Sequence, residues 1–336
     1  MNVGDSGDKE RSTSALGVLH DMLGEEIRKL RTADDWKRWL RTAAAFHEYS
    51  FRNAVLIAAQ RPGATLLGER AAWRYLGRRV VGDENAMRIF AQVFSRATKS
   101  VNAAGTVTRR VDHDLAADSE TPKVRPGRRL VGFRVAHVFD VSQTDGEPLP
   151  KPSAGPVVGR PSARLWEGLA TCVEGEGYEL LVEPIERQGV DAYTDSERRR
   201  IVVSDSLYEE RAVTSLAHQV AHMLLHEPDA VAASGSVMCR GMREVEAESV
   251  VFVLLTHHGL EADGWTFPYV AGWAASVDSE ESERVVQRTG ERVLRLAREL
   301  IDLTSPRTAP EDRMTPTRHL SLVPEPLPPA PDGPVW

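Results

Sequence analysis

The segment from Leu216 to His222, which reads LAHQVAH, constrains this chain more strongly than any other part of its sequence. Its two histidines, His218 and His222, are four residues apart, and residues at that spacing lie on the same face of an α-helix. Apolar residues recur around them at helical spacing, at positions 213, 216, 224 and 225. Two imidazoles on a buried helix face can share one metal ion, or they can form a hydrogen-bonded pair within the core. The segment therefore predicts a helix that either holds a metal or buries a histidine pair.

Gln219 follows the first histidine, at the position where the helical motif H-E-x-x-H has a glutamate. In that motif the glutamate is the general base that takes a proton from water at the metal. A carboxamide can hydrogen-bond to water but cannot accept its proton. We therefore assign Gln219 to the catalytic position of the motif, and we expect hydrolysis there to be weak or absent.

A third metal ligand is expected from the next predicted helix. We assign Glu246, because Val250 and Val253 follow it at helical spacing and place it on the inward face. Glu244 and Glu248 lie away from that face and are expected to contact solvent. Two histidines and one carboxylate leave one position of a tetrahedral Zn²⁺ ion open for water, so the predicted cofactor is Zn²⁺ in an open site.

Residues 211–260 resemble the ImmA/IrrE family of zincin-like metallopeptidases. The resemblance depends on the two histidines, on LLH at 224–226 and on the pair Glu246-Ala247 in the following helix. It implies His218, His222 and Glu246 as zinc ligands, and it places the general base where this chain has Gln219. An active peptidase would need another base, and Glu244 or Glu248 would be the alternatives.

The first half of the chain is basic and the second half is acidic. Residues 1–150 contain 24 Lys and Arg against 19 Asp and Glu, whereas residues 151–336 contain 18 against 30. Between residues 36 and 110 the counts are 14 and 4. This asymmetry favours a front module that binds a polyanion, and the alternative is a basic surface without a partner.

Aromatic and cationic residues are interleaved in this basic stretch, as in proteins that stack unpaired bases and neutralise phosphates. The alternative is that the aromatics are core residues and the arginines a solvated face. The candidate residues for binding single-stranded DNA are Tyr49, Phe51, Arg52, Asn53, Arg61, Trp73, Arg78 and Arg79.

The basic stretch also resembles the N-terminal domain of ArdC-type antirestriction proteins. The shared run is YSFRN, LIAAQRP, a tryptophan, LGR and a valine, at residues 49–53, 56–62, 73, 76–78 and 80. The family's Gly-Glu pair is displaced to Gly82-Asp83-Glu84, and residues 138–150 match the end of the domain. The resemblance implies a single-stranded-DNA-binding domain followed by a metallopeptidase-like domain that acts on incoming foreign or mobile DNA.

The predicted fold class is α+β, with a mixed helix and strand DNA-binding domain followed by a zincin-like metallopeptidase domain. Five prolines between residues 148 and 161 indicate a linker. The predicted boundaries are a disordered start at 1–15, the ArdC-like domain at 16–150, the linker at 151–161, the zincin-like domain at 162–304 and a disordered Pro-rich tail at 305–336.

Composition restricts where such a chain works. It has two cysteines, its first residues are polar, and it contains no apolar run of 18 residues, so we expect a cytoplasmic protein without a membrane partner. The first functional hypothesis is a protein that binds single-stranded DNA and has an impaired peptidase domain. The second is an active zinc peptidase that cleaves a regulatory protein. The third is a zinc-dependent protein-interaction module with no DNA role.

Overall fold

The structure is a computed structural model of the chain. It describes residues 14–82, 84–101, 107–116, 128–149, 161–226, 237–260, 267 and 279–305. The predicted linker and the predicted disordered ends fall almost entirely outside these ranges. The helices are α1 (Ala15–Lys29), α2 (Ala33–Ala45), α3 (Phe51–Gln60), α4 (Arg70–Tyr75), α5 (Pro161–Gly175), α6 (Glu209–Leu225), α7 (Val237–His257) and α8 (Ser279–Thr304). The strands are β1 (Leu67–Gly68), β2 (Arg78–Val80), β3 (Met87–Val101), β4 (Val107–Ala116), β5 (Arg128–Asp140), β6 (Thr144–Gly146), β7 (Glu179–Glu183), β8 (Ala192–Asp195) and β9 (Arg200–Ser204). The predicted α+β class is confirmed.

The described residues form two compact units. The helical unit contains residues 14–65 and 161–305, and the sheet unit contains residues 66–149. This partition differs from the predicted division at the Pro-rich segment, because the first three helices pack with the C-terminal helices instead of with the sheet. An amphipathic helix shows in its sequence that one face is buried, but not which element covers that face.

Hydrogen bonds fasten the first three helices to the rest of the helical unit. Trp36 of α2 is fully buried and donates from Nε1 to Oγ of Ser249 in α7, at 2.8 Å. Arg298 of α8 donates to the backbone oxygen of His47 at 2.7 and 2.9 Å, and to that of Tyr49 at 3.1 Å. These bonds satisfy buried polar groups at the seam between helices that are distant in sequence.

The small sheet of the helical unit has the order β7-β9-β8. β7 is parallel to β9, whereas β8 is antiparallel to it, so β8 is an edge strand among the described residues. The central strand β9 buries Ile201, Val202 and Val203 completely. Helix α6 packs against β8 and β9, which brings its middle turns close to the edge strand.

The sheet unit consists of antiparallel strands in the order β1-β5-β3-β4, together with the pair β2-β6. Trp73 of α4 is fully buried and donates from Nε1 to the backbone oxygen of Phe139 in β5, at 3.0 Å. Strands β3 and β4 form a long antiparallel pair, from Gln92 with Ala116 to Val101 with Val107. Among the described residues, no helix is long and apolar enough to cross a membrane.

Candidate metal site and basic surface

Helix α6 places the two motif histidines side by side, as their spacing predicted. The helix buries Val213, Leu216 and Val220 on the face next to them. His218 and His222 are about three-quarters buried, and their Nε2 atoms are 3.0 Å apart. Two imidazole nitrogens at this distance either share a proton or face a common ligand.

Glu244 of α7 completes a group of three ligand atoms with these histidines. Its Oε2 lies 3.5 Å from Nε2 of His218 and 3.5 Å from Nε2 of His222. Hydrogen bonds from the two histidines hold the pKa of the Glu244 carboxyl well below its usual range. The carboxylate is therefore charged at neutral pH and able to act as a ligand.

The donor set fits a small divalent ion. A triangle with sides of 3.0, 3.5 and 3.5 Å has a circumradius of about 1.9 Å, close to the ~2.0–2.2 Å that zinc keeps from histidine nitrogens and carboxylate oxygens. Two imidazoles and one carboxylate are also the ligand types of open zinc sites. The geometry thus accommodates an ion without rearrangement of these three side chains.

The structure does not bring Glu246 to the histidine pair, contrary to the sequence-based assignment. Its side chain is 1% exposed, and Oε1 lies 3.2 Å from Nη1 of Arg292 in α8. Its Oε2 lies 3.8 Å from Nδ1 of His226. Burial outweighs the opposing charges of Arg292 and Arg243 and raises the pKa of Glu246 to about 7. Burial is also the main cause that lowers the pKa of His226 to about 4.

The physical reason lies in the helical rotation between the two glutamates. Residues two apart on a helix differ by about 200°, so Glu244 and Glu246 cannot face the same neighbour. The apolar residues after Glu246 mark the face that packs in the core, whereas the site lies on the face of Glu244 and Glu248. The four-residue spacing of these two carboxylates was the signal that could have located the carboxylate beside the histidine pair.

Gln219 lies between the two histidines in sequence and contacts the edge strand. Its Oε1 accepts a hydrogen bond from Oγ1 of Thr194 in β8, at 3.0 Å. Glu248, one turn after Glu244, is partly buried, and its Oε2 has no hydrogen-bond partner among the described atoms. Burial raises the pKa of Glu248, and the nearby charge of Glu244 raises it further, whereas His218 lowers it.

Three of the eight candidate DNA-binding residues are core residues. Phe51 is 1% exposed, and Asn53 and Trp73 are fully buried. Phe51 packs at the edge of the Trp39 ring, and Trp73 forms a core cluster with Val80 and Phe139. A buried side chain cannot reach a base, so burial argues against the binding role that the sequence pattern suggested for these three.

The other five candidates differ in what their side chains can reach. The Arg78 guanidinium donates to Oγ1 and the backbone oxygen of Thr144, and to the backbone oxygen of Gly146, so its role is to brace β2 against β6. Tyr49 and Arg61 are half-buried, whereas Arg52 and Arg79 are exposed. The candidates also belong to different units, since residues 49–61 lie in the helical unit and residues 73–79 in the sheet unit.

A histidine pair on one helix and a carboxylate on the next could hold a metal ion, and this arrangement is typical of zinc sites. Residues 173–252 match the model of the family described as the IrrE N-terminal-like domain, Peptidase_M78. These residues therefore form an IrrE N-terminal-like domain, and the resemblance predicted from the motif is confirmed.

Most of the chain, beyond this domain, is also similar to known proteins. An uncharacterized protein of Bacillus anthracis is 24% identical over 294 residues, which is 82% of this chain and 49% of that protein. The chain thus spans about half the length of this relative. Crystal structures of the antirestriction protein ArdC from plasmid R388 are also similar. The metal-free form has 15% identity and a TM-score of 0.44, and covers 76% of this chain and 85% of that one. The Mn(II)-bound form has 13% identity and a TM-score of 0.44, and covers 77% and 86%.

Proposed function

We propose that this chain binds single-stranded DNA and has a metallopeptidase-like domain that holds a divalent metal but hydrolyses peptides poorly, if at all. The metal is Zn²⁺, held by His218, His222 and Glu244. The protein protects or handles foreign or mobile DNA, as its resemblance to ArdC-type proteins in residues 49–80 suggests. The observation that carries the metal half is the meeting of three ligand atoms within 3.5 Å of one another in an IrrE-like domain.

Gln219 supports the view that hydrolysis is impaired. A bound zinc ion would polarise water and a peptide carbonyl, but the proton of the attacking water still needs an acceptor. The Oε1 of Gln219 already accepts a hydrogen bond from Thr194, and its NH₂ group can only donate. Without a general base, a loss of about 10²–10⁴-fold in rate is expected.

The DNA half of the proposal is supported by charge. The sequence has fourteen basic residues against four acidic ones between positions 36 and 110, and this excess of positive charge favours binding to phosphates. Arg52 and Arg79 are exposed and remain candidates for phosphate contacts. Phe51 and Trp73 are buried, so the proposal does not include base stacking by these two rings.

Two measurements on the purified full-length chain test this proposal. Elemental analysis should find about one Zn²⁺ per chain, and a labelled oligothymidylate should bind with an affinity that falls steeply with salt. A chain that holds no metal after incubation with Zn²⁺ would contradict the first half. A chain that fails to bind the oligonucleotide at low salt would contradict the second.

The second candidate function is an active zinc peptidase that cleaves a regulatory protein. One observation favours it, namely the buried, unpaired Oε2 of Glu248 beside the site. In this function a different carboxylate would replace the missing base. Chelator-sensitive cleavage that persists in the natural Gln219 chain and is lost in Glu248→Gln would support the second candidate over the first.

A further inference from the structure

An open cleft in the sheet unit lies between helix α4 and strand β5. It has a volume of about 590 Å³, in the range of ~300–1,000 Å³ typical of ligand sites. On this side β5 pairs with β1 only at Phe139 and Asp140, so among the described residues the earlier part of the strand has an open edge. The residues that matter for its chemistry are Glu69, Arg70, Arg74, Arg134, His137 and Phe139.

Helix α4 contributes two exposed arginines to the cleft, Arg70 and Arg74. Residues four apart lie on the same helix face, so both guanidinium groups are on the cleft side. The Arg70 guanidinium stacks over the Phe139 ring, with its central carbon 4.8 Å from the ring centroid. A guanidinium stacked in this way keeps its N–H donors at the rim of its plane, where they can bind an anion.

The carboxylates that line the cleft are already engaged. Oε1 of Glu69 lies 3.3 Å from Nη2 of Arg134, and Oε2 of Glu84 accepts a hydrogen bond from Gln143 at 2.9 Å. In contrast, Arg74 has no carboxylate partner within the described part of the chain. The Nε of Arg134 is buried without a hydrogen-bond partner there. The cleft therefore has more cationic donors than its own acceptors satisfy.

We propose that this cleft binds the phosphodiester backbone of single-stranded DNA, with Arg70 and Arg74 neutralising phosphates. The proposal rests on the proposed function and gives it a location that the sequence pattern did not indicate. The stacked plane of Arg70 is also a surface on which an unpaired base can lie, which a base within a duplex cannot do. A peptide of aspartate and glutamate could satisfy the same charges, but it has no aromatic ring to lie on this surface.

Fluorescence anisotropy with a labelled oligothymidylate tests the proposal on the full-length chain across a salt series. The test variant is the double substitution Arg70→Gln with Arg74→Gln. The matched control is Arg187→Gln with Arg295→Gln, which removes the same charge from two exposed arginines outside the cleft. Thermal unfolding of each variant verifies that the fold is intact.

The cleft variant should bind at least ~10-fold more weakly, and its slope of log K against log salt should be shallower by about 1.4, since each lost phosphate contact on a single strand is worth ~0.7. The control variant should change affinity less than ~2-fold. If the natural chain binds DNA and the cleft variant binds equally well, the cleft is not the site and the proposed function stands. If the natural chain does not bind DNA at all, the proposed function fails and the cleft proposal fails with it. Displacement of the DNA by a decaglutamate peptide as effectively as by unlabelled oligothymidylate of equal charge would overturn the cleft proposal in favour of an acidic peptide.

Discussion

The hydroxyl of Thr194 donates to Oε1 of Gln219 across 3.0 Å, and this bond joins edge strand β8 to helix α6 between the two metal-site histidines. This bond holds the carboxamide oxygen of Gln219. The NH₂ group of the same side chain can only donate. A carboxylate at the same position could accept the Thr194 bond with one oxygen and keep the other for a proton. The local structure is thus compatible with a general base that the sequence lacks.

We therefore expect Gln219→Glu to leave the fold intact and to raise zinc-dependent peptide cleavage by ~10²-fold or more over a natural chain that is at or near background. The assay follows self-cleavage and cleavage of an unfolded protein substrate, with and without chelator. Gln219→Ala serves as the control, because it removes the carboxamide without adding a base. Strong chelator-sensitive cleavage by the natural chain would contradict the expectation that Gln219 impairs hydrolysis. Glu248 would then be the first residue to test as the base.

Glu244 and Glu246 of α7 are expected to differ in their effect on metal binding. Glu244→Gln and His222→Ala should each weaken Zn²⁺ binding by more than the ~10–100-fold typical of an outer-sphere partner, because each removes a ligand atom. Glu246→Gln should retain the metal, since its side chain contacts Arg292 of α8 and not the histidine pair. Titration calorimetry on the metal-free chain measures all three. Retention by Glu244→Gln together with loss in Glu246→Gln would restore the assignment made from sequence.

The helix of His218 and His222 was predictable, because a four-residue spacing within an apolar stripe has a single simple geometric meaning. The third ligand was not, because apolar neighbours identify the face of a helix that packs in the core. A metal site lies instead where polar groups converge, and that depends on how two helices cross. For the same reason, the sequence predicted that Glu246 faces inward but did not predict that it pairs with Arg292.

The α+β class could be predicted from stretches with helical and with strand-like apolar spacing. The boundaries of the helical unit and the sheet unit could not. The apolar stripe of α2 predicts burial of Trp36 but does not reveal that Ser249, 213 residues later, accepts its hydrogen bond. Aromatic residues beside arginines likewise predict a binding surface or a core equally well. Burial distinguishes the two, and it assigns Phe51 and Trp73 to the core.

Gly290 of α8 is required where α3 crosses this helix. A Cβ at this position would overlap the ring of Phe51, which is itself buried. We expect Gly290→Ala to lower the free energy of unfolding by about 1–3 kcal/mol, as overpacking does. The control is Gly24→Ala in α1, whose Cβ would meet only side-chain ends of Glu283 and Arg28 at 3.8 and 3.9 Å. This control should be neutral or stabilising by up to about 1 kcal/mol.

Denaturant unfolding of both variants gives the comparison. Phe51→Leu in the Gly290→Ala background should recover part of the loss, because a smaller side chain makes room for the new methyl group. Equal stability of the two glycine variants would show that residues 14–65 do not pack on α8 as described.

His258, just after α7, couples stability to pH. Its Nε2 lies 2.7 Å from Oγ1 of Thr304, whose hydroxyl donates to the backbone oxygen of Leu300, so the neutral ring donates to Thr304. Burial, together with the charges of His257 and Arg164, lowers the pKa of His258 to about 4. The unfolded chain takes up this proton near pH 6.5 and the folded chain only near pH 4, so the contribution of His258 is complete above pH 6.5 and is lost as the pH falls towards 4.

The loss amounts to about 2–3 kcal/mol, with one pKa unit worth ~1.4 kcal/mol and a discount for partial exposure. His258→Gln keeps a donor for Thr304 but cannot titrate, so the stability of this variant should fall less steeply between pH 6.5 and 4. Denaturant midpoints at half-unit pH steps measure the difference between the two curves. His257→Gln is the control, and we expect it to retain the steep fall because His258 is still present. Parallel curves for the natural chain and His258→Gln would mean that other groups cause the acid sensitivity and that His258 is not held neutral by the fold.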